Sequence, residues 1–250
     1  MRLHSQAAAW AALALPLLSS PMAALAGPAD QVYSPIVVER ERELEFKAGT
    51  LKQRDGTRLD AQSLSLGWGV TSWWFTELVA KWHKEPGQNH GFDAWEWENR
   101  FQLLETGSHA FELGLLLEIE RPSARSEGYE LRWGPLLQVD FSDKLQGNLN
   151  LLVEKHYRSS EPSPAELGYQ WQLKWRAQPA FEFGAQGLGA LGPWRHWQPR
   201  AEQTHLAGPA LFGRVRLAPG TALKYSAGLL FGLNQSSPRT QLRWLAEFEF

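Results

Sequence analysis

Residues 242–250 read LRWLAEFEF, and this stretch decides how the rest of the chain is read. Leu242, Trp244, Ala246, Phe248 and Phe250 are apolar or aromatic, while Arg243, Glu247 and Glu249 stand between them. Successive side chains of a β-strand point to opposite faces, so one face here suits hydrocarbon and the other suits water. The same two-residue period recurs upstream in segments at 37–53, 62–70, 73–83, 93–103, 111–120, 130–141, 145–156, 167–176, 181–189, 205–217 and 221–233. The clearest sets Leu167, Tyr169, Trp171, Leu173 and Trp175 against Gly168, Gln170, Gln172, Lys174 and Arg176. A helix fits poorly, because charges at every second position would encircle it instead of marking one side.

The terminal stretch resembles the closing strand of Gram-negative outer-membrane β-barrel proteins, which end in Phe after apolar residues at alternate positions. The resemblance is at superfamily level. It implies that Leu242, Trp244, Phe248 and Phe250 form an assembly signal, and that the outer-membrane insertion machinery handles the chain. It carries no substrate with it.

Connection lengths agree with such a barrel. The links at Thr71-Ser72, Ser142-Asp143-Lys144, Ala218-Pro219-Gly220, Thr106-Gly107 and Gln178-Pro179 are short, whereas those at 85–92, 121–128, 158–165 and 190–203 are longer and rich in Gly, Pro and Ser. Outer-membrane barrels have short periplasmic turns and longer outer loops, and an even strand number returns both chain ends to the periplasm. Trp73, Trp74, Trp82, Trp95, Trp133, Trp175, Tyr169, Tyr225 and Trp244 lie mostly near segment ends, as girdle aromatics do. The expected fold is all-β: a closed, up-and-down, antiparallel transmembrane β-barrel of about twelve strands spanning 37–250. Glycines such as Gly67, Gly69, Gly114 and Gly228 are read as relieving crowding where a closed sheet bends.

The amino terminus has Arg2, the apolar run AAAWAALALPLL and the small-residue end Ala24-Leu25-Ala26, the order of a secretory signal cleaved after residue 26. Residues 1–26 are therefore assigned to a signal peptide and 27–36 to a periplasmic lead-in. Arg2 is the only charged residue in 1–26, so cleavage takes the net charge from −2 to −3 and leaves nothing that favours nucleic acid. The absence of cysteine rules out disulfides, thiolate metal sites and a cysteine nucleophile. A mean hydropathy of −0.37 does not exclude the membrane, because barrel strands average lipid-facing against lumen-facing residues.

With the apolar face toward lipid, the first six segments turn inward mainly acids, including Glu43, Glu45, Glu77, Glu96, Glu98, Glu118, Glu120 and Glu130. The last six lean basic, with Lys174, Arg176, Arg214, Arg216, Lys224 and Arg243. Glu96, Glu98, Glu118 and Glu120 are expected to face Arg176, Arg214, Arg216 and Lys224 across the lumen. A narrow lumen would turn these charges into an ion-paired core, and a wet one into a transverse field acting on polar solutes. The expectation is a narrow pore or transport-related barrel for small polar solutes, with a closed structural barrel or a lipid-directed hydrolase as alternatives. For a hydrolase the candidates are His83 and His156 with Ser159 and Ser160, but no GxSxG or HExxH motif supports them. His83, His90, His156, His196 and His205 lie toward the outer rim without HxH or HxxxH spacing, so neither metal nor cofactor is expected.

Overall fold

The computed structural model describes residues 27–84, 87 and 89–250; the segment 1–26, read as a signal, lies outside the described residues. Twelve strands follow one another: β1 (Arg42–Lys52), β2 (Arg58–Gly69), β3 (Trp74–Lys84), β4 (Gly91–Gln102), β5 (Glu112–Pro122), β6 (Tyr129–Ser142), β7 (Leu145–Tyr157), β8 (Glu166–Gln178), β9 (Phe181–Pro193), β10 (Thr204–Ala218), β11 (Thr221–Gly232) and β12 (Thr240–Glu249). Each pairs antiparallel with the next, and β12 pairs with β1, so the sheet closes on itself. The closing register runs from Glu43 opposite Glu249 to Lys52 opposite Thr240, and the Phe250 amide donates to the Arg42 carbonyl at 2.9 Å.

The alternation seen in the sequence is the inside and outside of this wall. On β12, Leu242, Trp244 and Phe248 point out and stay exposed, as does Phe250 just past its end, while Arg243, Glu247 and Glu249 point in and are buried. Leu64, Leu66 and Trp68 on β2 face out opposite inward Ser63 and Ser65. Aromatic contacts gather toward the two ends of the wall, with Trp73 6.3 Å from Phe101 at one end and Trp82 5.9 Å from Phe92 at the other. Trp244 departs from the girdle expectation: it sits mid-strand over Phe46, ring centroids 5.0 Å apart. The β4–β5 connection also departs from the expected short link, spanning 103–111, with the Gly107 amide donating to Glu112 Oε1 at 2.8 Å.

The segment 27–36, assigned from sequence to a periplasmic lead-in, runs inside the barrel. The Gln241 side-chain amide donates to the carbonyls of Gly27 and Pro28 at 3.2 and 3.0 Å, toward the outer end of β12. Tyr33 then packs on the inward leucines Leu116, Leu136 and Leu152, and the Val37 amide donates to Gln102 Oε1 at 2.8 Å. At the periplasmic end the Arg40 amide donates to the Gly69 carbonyl at 2.8 Å, and the chain reverses at Arg40 (φ 65°) into β1. The first strand accordingly begins at Arg42 and not at Val37.

Three inward glycines make room for this segment. A Cβ on Gly49 would lie 1.8 Å from the Pro28 carbonyl oxygen, one on Gly69 1.9 Å from that of Val38, and one on Gly114 2.9 Å from Pro35 Cβ. Gly69 and Gly114 thus admit a second backbone to the wall, a role beyond easing sheet curvature.

Leu64 lies mid-strand on the lipid face, 44% exposed. Leu64→Arg is expected to destabilise the barrel by about 2–4 kcal/mol, the usual cost of a cation at the bilayer midplane. Equilibrium unfolding in lipid vesicles checks this, and Leu64→Phe should change stability little.

Candidate functional site: the lumen

The inner wall of β1 to β6 holds the carboxylates foreseen from sequence, and Glu43, Glu45, Glu96, Glu98, Glu118 and Glu120 are paired with cations of the same wall. Lys81 Nζ lies 2.5 Å from Glu96 Oε2 and 2.6 Å from Glu120 Oε2. Arg100 reaches Glu43 and Glu98, each at 3.2 Å. Arg132 bonds Glu118 and extends to Asp30 of the inner segment at 2.8 Å. Lys47 pairs with Glu45 at 2.7 Å. Glu98 and Glu118 are each only 1% exposed, so these cations are what makes the carboxylates tolerable there.

The basic residues foreseen from sequence sit elsewhere. Arg176, Arg214 and Lys224 lie toward the periplasmic ends of β8, β10 and β11, and Arg216 is exposed at the periplasmic rim. Arg176 pairs with Asp140 at 2.6 Å, Arg214 with Glu249 at 2.7 Å and Lys224 with Glu247 at 2.8 Å, while Lys224 also contacts Glu249. Among the described residues no ion pair joins this group to Glu96, Glu98, Glu118 or Glu120. The expected confrontation across the lumen is therefore replaced by two clusters at different depths, each with its own ion pairs.

Between these clusters the wall is lined with amides. Asn148 donates to Gln138 at 3.1 Å, Gln172 to Asn148 at 3.0 Å and Gln186 to Gln172 at 3.1 Å, a ladder across β6, β7, β8 and β9. Ser34 of the inner segment joins it by donating to Gln138 Oε1 at 3.3 Å. Farther out on the same side Leu188, Leu206 and Leu230 form an inward apolar cluster. Gln170 and Gln172 already stand on the polar face in the sequence, and it is the strand register that brings Asn148 and Gln186 against Gln172.

The inner segment separates two cavities. The periplasmic one, about 750 Å³, is lined by Lys174, Arg176, Arg214 and Lys224 facing Glu41, Glu43, Glu45 and Arg100. The outer one, about 230 Å³, is lined by Lys47, Lys81, Asp93, Glu96, Glu120, Glu130 and Glu154. Gln31 and Tyr33 border both.

The hydrolase candidates are not assembled into a nucleophile and base. His83 Nδ1 is 2.9 Å from Asp93, Ser159 Oγ donates to the Glu161 carbonyl, and the Ser160 amide donates to the Ser126 carbonyl.

No protein-family model matches the chain, and no curated protein matches its sequence. Solved structures do resemble it. An outer-membrane channel from Pseudomonas putida F1, COG4313, superposes with a TM-score of 0.60 at 9% identity, covering 85% of this chain and 96% of that one. The KdgM porin gives 0.55 at 9% identity over 83% and 99% of the two chains, and the NanC porin 0.55 at 11% over 83% and 98%. At these identities the likeness is one of fold: the protein is a closed, twelve-stranded antiparallel β-barrel with the architecture of these outer-membrane channels.

Glu41, at the periplasmic mouth just before β1, has Lys224 at 3.9 Å. Burial, opposed by Lys224 and reinforced by Glu249 and Glu247, raises its carboxyl to about 7. It is neutral below that pH and negative above it, so cation preference of the mouth should rise as pH passes from 6 to 8 through about 7. Reversal potentials in planar bilayers check this, and Glu41→Gln should flatten the pH dependence.

Proposed function

We propose that the protein is a narrow channel for small polar solutes, and that the inner segment 27–38 closes it in the conformation seen. The observation that carries this reading is the pair of charge-lined cavities, about 750 and 230 Å³, lying on either side of that segment in one barrel. A barrel needed only as a scaffold could fill its interior with side chains, as eight-stranded barrels do. Here charged groups line the cavities, and the obstruction between them is a stretch of chain held to the wall by side-chain hydrogen bonds and not by a strand ladder. Those contacts include Arg132 with Asp30 and the Tyr33 hydroxyl, Gln31 with Glu45, Ser34 with Gln138, the Val37 amide with Gln102 and the two Gln241 bonds near Gly27.

The comparison structures support a polar cargo: the KdgM porin has been solved in complex with disordered oligogalacturonate. The periplasmic cavity offers both signs of charge, with Lys174, Arg176, Arg214 and Lys224 set beside Glu182, Glu247 and Glu249. That arrangement favours solutes carrying hydroxyls together with a charge over purely apolar ones.

Single-channel recording tests the reading. The intact barrel should show small or rare conductance steps, and a variant lacking 27–38 should show larger and more frequent ones. Heat-modifiable gel mobility establishes that the shortened barrel is folded. A folded, shortened barrel with no conducting steps in any salt would exclude the channel and leave a closed structural barrel.

A further inference from the structure

At the outer mouth, Glu130 on β6 stands opposite His156 on β7, and Glu154 precedes His156 by two residues on the same inward face. His156 Nε2 lies 3.6 Å from Glu130 Oε2 and 3.6 Å from Glu154 Oε1. Both separations exceed a hydrogen bond, yet one ligand atom from each of the three residues falls within 4.8 Å of the others. We propose that Glu130, Glu154 and His156 bind one divalent transition cation of the zinc class at this mouth.

Zinc bonds to nitrogen and oxygen of about 2.0–2.2 Å in a tetrahedron place the ligand atoms about 3.3–3.6 Å apart. The imidazole nitrogen is already at that spacing from both carboxylates. Nitrogen mixed with carboxylate oxygen suits Zn²⁺ and its neighbours better than Ca²⁺ or Mg²⁺, which take oxygen throughout. Three protein ligands leave a fourth position for water, and Glu130 and Glu154 both line the outer cavity.

Charge points the same way, independently of spacing. Among the described residues neither Glu130 nor Glu154 has a lysine or arginine within ion-pair distance; His156 is the partner each has. A further carboxylate, Glu120, stands opposite Glu130 in the β5–β6 pair. Lys81 and Arg132 are engaged by Glu96, Glu120, Glu118 and Asp30. Half-buried like charges held this close are costly until neutralised. One imidazolium balances one carboxylate, whereas a dication balances both. The other outer-rim imidazoles differ: His83 faces Asp93, and His205 is held by the Tyr169 hydroxyl and Gln203.

The test is titration calorimetry of the chelator-treated, untagged barrel in detergent with Zn²⁺, together with visible absorption after Co²⁺ addition. One equivalent of Zn²⁺ should bind, and Co²⁺ should give the intense bands of a tetrahedral site. His156→Ala and Glu154→Gln should each weaken binding by more than about 10-fold, since even changes behind the ligands of metal sites cost about that much. His83→Ala should bind as the unaltered barrel does. Heat-modifiable mobility confirms folding of each variant, with His156→Gln as substitute if His156→Ala fails to fold. No Zn²⁺ binding, or equal binding by the unaltered barrel and a folded His156 variant, overturns the proposal. The readout is binding, so it does not depend on whether the barrel conducts.

Discussion

The pairing of β12 with β1 is the constraint on which the rest of the structure depends. In hydrocarbon no water is at hand for an unpaired backbone N–H or C=O, so a sheet can cross a membrane only if it has no edge. The register from Glu43–Glu249 to Lys52–Thr240 removes both edges at once and fixes which side chains of the terminal strand face inward. A slip of one residue would expose Arg243, Glu247 and Glu249 to lipid and turn Leu242, Trp244 and Phe248 into the lumen. Phe46 against Trp244 and the bond from the Phe250 amide to Arg42 hold the register from the outer face and from the end.

Closure creates the second problem, an interior full of charge at membrane depth. The protein meets it with local pairs and not with a field across the lumen. Glu96, Glu98, Glu118 and Glu120 find their cations within two strands along the wall, as Glu96 and Glu120 share Lys81 and Glu118 takes Arg132. Arg132 also reaches inward to Asp30, so the inner segment is tied to the wall by the residue that neutralises it. Glycines at 49, 69 and 114 then let backbone lie where side chains would otherwise stand. The obstruction in the lumen and the electrostatic balance of its wall are therefore linked through one guanidinium.

How much of this was legible follows from which distances are local in sequence. Strand alternation is a two-residue signal, so the closed barrel, the lipid-facing residues of LRWLAEFEF and the inward placement of Glu96, Glu98, Glu118 and Glu120 all appear in the sequence. The depth of a charge along the barrel depends on where each strand begins, which is why Arg176, Arg214 and Lys224 were set opposite acids that they do not meet. The inner segment was read as periplasmic because 27–36 has no strand period and its partners, Arg132, Gln138 and Gln241, are about a hundred or more residues away. Its signal in the sequence is parity: Gly49, Gly69 and Gly114 all fall on inward positions, where a missing side chain opens the lumen.

The same limit explains the outer mouth. Spacing searches for metal ligands look for histidines a few residues apart, and His156 has none. Its partners are Glu154, two residues back, and Glu130, which only the β6–β7 register sets opposite it. A β-barrel builds sites across strand pairs, so the relevant spacing is that of paired residues and not of consecutive ones. A dication there would cancel charge at the narrow outer cavity, far along the wall from the lysine and arginines paired to Glu247, Glu249 and Asp140. Lys47 of the outer cavity nevertheless pairs with Glu45 of the periplasmic one, so a single ion pair runs past the inner segment and couples the two ends of the lumen.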